Sequence, residues 1–305
     1  MRVTSCARLM ADDLPGGSPI ITVEDAAAAG FEIYEGVLYS YTGTAETVHI
    51  PHGVELIAER AFAGNKSTKT LVAPEGLVQI APNALAECTA LEKITLSSGL
   101  TEIPQGLFEG LISLKEVILP QGIKTIGKGA FHNCSSLVDI ALPDSVETIG
   151  KEAFMGCTAL ARVHFPHELK RIGSQAFEGC AALTEAVIPE RVKEIGERAF
   201  AESGLKMAHL PKSLQVISAQ TFCNCTKLRH VKLEEGVSEI QMRAFMGCSV
   251  LSRIVIPLSV STITGELFGG CTQLTVYCRA RMKPTGWNMT WNGGKEIVNW
   301  GYEGI

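Results

Sequence analysis

The chain has 305 residues, 46% of them hydrophobic and only 19% charged, so it can bury a large core and is no disordered tail. Its 30 glycines and 13 prolines are too few for a collagen-like or low-complexity protein. The 32 acidic against 27 basic residues give a net charge of -5, which excludes a global basic field for nucleic acid or anionic lipid, and no apolar stretch approaches the length of a membrane span.

Residues 1–44 read as a leader and then a cap. Met1 to Gly17 carries Arg2 and Arg8 but no apolar core, and Asp12 and Asp13 add charge where such a core would stand, so no signal peptide is expected there. A cytosolic protein and one whose export segment is not part of this sequence both fit. Phe31, Ile33, Tyr34, Val37 and Leu38 are expected to cover the first end of the repeat region.

From residue 45 to 278 the chain repeats about ten times at an offset of about 23 residues. Phe62, Phe108, Phe131, Phe154, Phe177, Phe200, Phe222, Phe245 and Phe268 form one file, with Leu85 in the vacant place and one shortened step between Phe200 and Phe222. A second file runs from Ile57 through Ile126, Ile149 and Ile172 to Ile263 and is isoleucine throughout. Pro51, Pro74, Pro120, Pro143, Pro166, Pro189, Pro211 and Pro257 form a third, with Ser97 and Glu234 in the other two places.

Within one repeat, Ile140 and Leu142 alternate around Ala141 with the period of a strand, and Pro143 ends it because it has no N–H to give a ladder. Val146 and Ile149 point inward from a second extended segment. Ala153-Phe154 reads as a short helical turn, stopped by Gly156 or, in other repeats, by Gly64, Gly110, Gly179, Gly247, Gly270, Asn133 or Asn224, residues that accept a positive φ. A unit this short cannot enclose its own apolar side chains, so each coil must stack on its neighbours. The predicted architecture is a solenoid.

The pattern L-x-x-V-x-I-P-x-x-V-x-x-I-G-x-x-A-F-x-G-C resembles the BspA-like leucine-rich repeat. It stands in full in Leu160 to Pro166, Leu169, Ile172-Gly173, Ala176-Phe177 and Gly179-Cys180. Gly36-Val37-Leu38 with Tyr41-Thr42-Gly43 resembles that family's approach to the first repeat. Tyr277-Cys278, Lys283-Pro284, Gly286-Trp287 and Trp291-Asn292 resemble its terminal cap, here residues 279–305. The resemblance implies a right-handed superhelix with a parallel β-sheet face, short second strands and short helical turns. It also implies binding to proteins or cell surfaces, and a secreted or surface location that the missing signal peptide does not support.

Seven of the ten cysteines, Cys88, Cys134, Cys157, Cys180, Cys225, Cys248 and Cys271, come three residues after the phenylalanine file. Asn65, Leu111 and Ser203 share that column, so it asks for a small inward side chain with a loop carbonyl as candidate partner, and the thiols are expected to be a reduced structural ladder. Cys223 and Cys225 form a lone C-x-C, too little for a structural zinc site. Cys278 and Cys6 are candidates for exposed thiols. No metal and no cofactor are predicted. The sequence holds no H-E-x-x-H, G-x-S-x-G, G-x-x-x-x-G-K or G-x-G-x-x-G, and no enzyme is expected. Sequons at Asn65, Asn133, Asn224 and Asn288 read as by-products of the repeat.

The strand columns that leave the core change character along the chain. Val72, Ile118, Val187 and Val255 place apolar atoms on the sheet face beside His164, His209 and Lys232, and Lys206, Arg229, His230 and Arg253 make the later repeats basic. The expected binding residues are His164, Val187, His209, Arg229, His230, Lys232 and Arg253, facing a protein partner of acidic character or a surface glycan. The alternative is a spacer or stalk with no specific ligand. Trp287, Trp291 and Trp300 are expected to cover the far end of the stack, with sugar stacking as the sharper reading of the same cluster.

Overall fold

The computed structural model describes residues 23–294 and 298–304. The chain enters through helix α1 (Val23–Ala28) and an antiparallel hairpin of β1 (Phe31–Tyr34) and β2 (Val37–Tyr41). Glu35 and Gly36 turn that hairpin with φ of 46° and 76°, the pair of positive values a tight turn of matching twist requires. β2 then pairs in parallel with Leu56–Ile57, which starts the solenoid.

Each coil contributes a three- or four-residue strand on one face and a two-residue strand on another. Thr47, Thr70, Lys93 and Glu116 lie in register on the first, and Ile103, Ile126, Ile149, Ile172 and Ile195 on the second. All the ladders between coils are parallel, because every coil runs the same way round. The longer-strand face is hydrogen-bonded in four segments. It is interrupted between Ile118 and Asp139, between His164 and Glu185, and between Lys232 and Arg253.

The third side of each coil is a run of single hydrogen-bonded turns. Met155 N–H donates to the Glu152 carbonyl and Cys157 N–H to the Phe154 carbonyl, but the run does not grow into an α-helix. Two observations explain this. Positive φ recurs at Glu152 (59°) and Gly156 (73°), and Phe154 and Gly156 give their N–H groups to the Ala176 and Glu178 carbonyls of the next coil. Every turn stopper foreseen from the repeat has a positive φ, whether glycine, Asn133 or Asn224. The second such column, which includes Arg60, Asn83, Gln175 and Arg198, holds glycine only at Gly106 and Gly129, a sparser signal that the sequence reading passed over.

The interior consists of the files in the sequence. The isoleucines from Ile57 to Ile263 are buried, and so are all nine file phenylalanines. Successive rings from Phe131 to Phe245 lie nearly parallel, 5° to 9° apart in tilt, with centroids 4.9 to 5.8 Å apart. Such offset stacks add about 0.5–1.5 kcal/mol per pair beyond the area each ring buries. The shortened coil closes at Gly204, where a Cβ would lie 2.1 Å from the Ala181 carbonyl oxygen.

Both ends are covered. Tyr41 bridges Phe31 (4.6 Å between centroids) and Phe62 (5.2 Å), whereas Tyr34, expected to share that work, is 64% exposed. At the far end Trp291 meets Phe268 edge-on, and the Trp287 indole donates to the Val260 carbonyl at 3.1 Å. Trp287 and Trp291 are each 3% exposed and offer no open ring face for sugar stacking, while Trp300 is half-buried. No helix among the described residues is long and apolar enough to cross a membrane.

Candidate functional site

The cysteine column is structural in its geometry. Each of the seven ladder thiols is buried and donates to the carbonyl of a phenylalanine one coil back: Cys88 to Phe62, Cys157 to Phe131 and Cys225 to Phe200 at 3.0 Å, and the other four in the same way. Asn65, in the same column, donates its side-chain amide to the Gly43 carbonyl. The column therefore wants a donor that fits a small space, which a thiol supplies and the Leu111 place forgoes. Burial pushes the Cys88 thiol up to about 11 and the Cys225 thiol up to about 12, so neither is a thiolate near neutral pH. Cys278, a candidate for an exposed thiol, is wholly buried, because it points inward from the strand Thr275–Cys278, and burial raises it to about 12. Cys223 is also buried. No group of three or more His, Cys, Asp or Glu among the described residues is arranged to hold a metal. Cys6 lies outside the described residues.

The sheet face holds the surface chemistry. Arg162, His164, Val187, His209, His230, Lys232 and Arg253 are all exposed, as strand alternation requires, while Ala186 and Ala208 are buried and Val163 and Val231 half-buried between them. Val187 is 58% exposed and Ile118 43%, so the face does carry apolar atoms into solvent. Val72 and Val255 are half-buried.

A groove of about 600 Å³ lies on this face across the ladder interruption between Lys232 and Arg253. Four of the seven expected residues line it: His209, His230, Lys232 and Arg253. Its floor is apolar, from Val231, Ile254 and Val255. His164 and Val187 sit on the same face outside it, and Arg229 lies beside it, the residue before the strand His230–Lys232. Thus the structure gathers four of the expected residues and leaves three around them.

Other residues in the groove or packed on its Arg253 give no signal in the sequence of the outer columns. Arg253 stacks over Tyr277 at 4.8 Å and over Tyr302 at 5.0 Å, and its guanidinium donates to the Tyr302 hydroxyl. Tyr302 comes from the tail, far along the chain, which no repeat pattern could foresee. Glu234 pairs with Lys232 at 2.8 Å, and Glu235 with Arg279 at 3.2 Å. Glu234 occupies the proline place of its repeat, and that substitution was the one visible hint. The groove is therefore less basic than its column of cations suggests.

The early repeats use charge differently. Lys69 meets Glu46 at 2.8 Å, Lys115 meets Glu92 at 2.7 Å and Lys93 meets Glu116 at 2.9 Å, each pair spanning adjacent coils. The Lys115 ammonium holds the Glu92 carboxyl below the usual carboxylate range, and Glu46 raises Lys69. Farther along, Glu147 sits between Lys124 and Lys170 in the same manner.

Comparison with known proteins agrees with this geometry. Residues 32–161 and 147–275 match the BspA type leucine rich repeat region, in six copies. Similar solved structures include a leucine rich cell surface protein from Faecalibacterium prausnitzii A2-165, 22% identical, covering 88% of this chain and 94% of that one with a TM-score of 0.47. Another is the pneumococcal vaccine antigen PcpA, 21% identical, covering 78% of this chain and 69% of that one with a TM-score of 0.51. At these identities the likeness is one of fold. No curated protein matches the chain.

Proposed function

The chain belongs to the BspA-type leucine-rich repeat family, and from that premise we propose that it is a non-enzymatic binding module which recognises a protein through the sheet face of its later repeats. The observation that carries this reading is the groove across the ladder interruption, with its apolar floor and a rim of His209, His230, Lys232 and Arg253. The partner presents acidic side chains around an apolar contact. Arg253 is held in place by two tyrosine rings and so loses little freedom on binding, which suits it as an anchor among otherwise shallow contacts. Burial of Trp287 and Trp291 favours a protein over a stacked sugar.

The test uses a fluorescent acidic peptide that also carries leucine and valine, with a serine-glycine peptide as control. Arg229→Glu with Lys232→Glu is expected to weaken binding of the acidic peptide by about tenfold or more, whereas Lys69→Glu in the early repeats leaves it unchanged. Equal behaviour of both variants, or no preference between the peptides, would mean a spacer without a specific ligand.

A further inference from the structure

The three ladder interruptions share a feature of side-chain packing. On most repeat strands of the longer-strand face the middle side chain is buried, as with Ile140, Ala186 and Ala208. In three strands it is half-buried, and each time it is a valine: Val117, Val163 and Val231. These are the last strands before the interruptions at Ile118, His164 and Lys232. Where the next coil does not close the ladder it leaves one flank of the valine uncovered, and a side chain packed on the core can be reached from the outer face. The groove over Val231 is one such opening.

The opening at Val163 has a second apolar side chain at its base. Phe165 stands just before Pro166, in the place that Leu142 and Ile188 take one coil earlier and later. Those two are buried, but Phe165 is half-buried, its ring edge-on to Phe177 at 5.4 Å and to Phe200 at 6.5 Å. The strands on either side, Arg162–His164 and Glu185–Val187, stand farther apart than those flanking the other two interruptions. Val187, 58% exposed, forms the far lip. Apolar ground therefore continues beyond the groove.

The lips of the three openings are graded in charge. Glu116 and Asp139 flank the first, Arg162 and Glu185 the second, and His230, Lys232 and Arg253 the third. Lys93 and Arg162 reach the first two carboxylates and offset part of their charge. An acidic partner is thus least favoured at the first opening, met by balanced charge at the second and drawn to the third. From the second to the third is three coils, about 14 Å. In an extended chain, residues i and i+4 stand about 13 Å apart on the same side of the strand.

Building on the protein-binding reading, we propose that the opening at Val163, Phe165 and Val187 is a second subsite, and that the partner enters as an extended strand lying along the stack. Its apolar side chains at i and i+4 occupy the two openings, and its acidic residues flank only the one over Val231.

Fluorescent peptides measured by anisotropy on the full chain test this. One carries a single leucine among acidic residues, a second adds another leucine at i+4, and a third places that leucine at i+3, on the opposite side of the strand. The i+4 peptide is expected to bind about tenfold more tightly than the single-leucine peptide, and the i+3 peptide no more tightly. Val187→Ser and Val163→Thr, which leave the buried files intact, should each remove most of that gain without changing the affinity of the single-leucine peptide. Equal affinity of the single-leucine and i+4 peptides, a gain shared by the i+3 peptide, or a gain that survives both substitutions would overturn the second subsite while the groove itself still binds. Failure of every peptide to bind would overturn both.

Discussion

On the early repeats Lys69, Lys93 and Lys115 each reach a glutamate on an adjacent coil, so charge stitches one turn to the next. On the late repeats Lys232 folds back onto Glu234 two residues away, and Arg253 lies on two tyrosines, one of them from the tail. The backbone is the same on both. What differs is the lining: paired charges between coils edge a smaller groove of about 370 Å³ on the early repeats, whereas the groove of about 600 Å³ across the interrupted ladder has apolar residues in its floor. A repeat protein can thus vary its outer columns without touching the files that hold it up.

The strongest way to break that comparison is to show that the two halves differ inside as well as outside. Phe154→Ala and Phe222→Ala remove rings stacked on both sides, and each is expected to cost about 3–5 kcal/mol by urea unfolding. A large disparity between them would mean that the interiors are not equivalent.

Alkaline pH tests the thiol files of both halves next. Folded thiols such as Cys88 and Cys225 hold their protons to about 11 and about 12, while unfolded ones ionise near the ordinary 9.0. The unfolded chain therefore binds fewer protons in that window, and stability, full below about pH 9, should fall as pH rises through it. Urea midpoints measured across this range check the sign, and a midpoint that rises would contradict it. A smaller effect is expected from Arg253→Ala, which removes the guanidinium from Tyr277 and Tyr302. It should loosen the last coils by about 1 kcal/mol, read as faster amide exchange over Thr275–Cys278. Least of all, Lys69→Ala and Lys115→Ala should leave the unfolding midpoint where it was, since both pairs lie exposed on the surface.

The interior was legible because recurrence turns weak single-residue signals into strong ones. One isoleucine says little, but a file of them at a fixed offset demands a buried place, and the positive φ at Asn133 and Asn224 could be inferred from the glycines that replace them elsewhere. Periodicity spoke only for what repeats. It showed His209, His230, Lys232 and Arg253 as outward and basic, but not the interruption that makes a groove of them, nor Tyr302 arriving from outside the repeats. Cys278 was misplaced for a related reason: it lies at the edge of the pattern, where the strand Thr275–Cys278 keeps the inward phase after the repeat motif has lapsed.

The parallel winding also bears on what happens when the two ends are pulled apart. A coil of about 23 residues rises only about 4.8 Å along the stack, yet drawn out straight it spans about 75 Å. Because each coil is bonded to its immediate neighbours, tension should strip coils from an end one at a time, each release freeing slack many times the height it occupied.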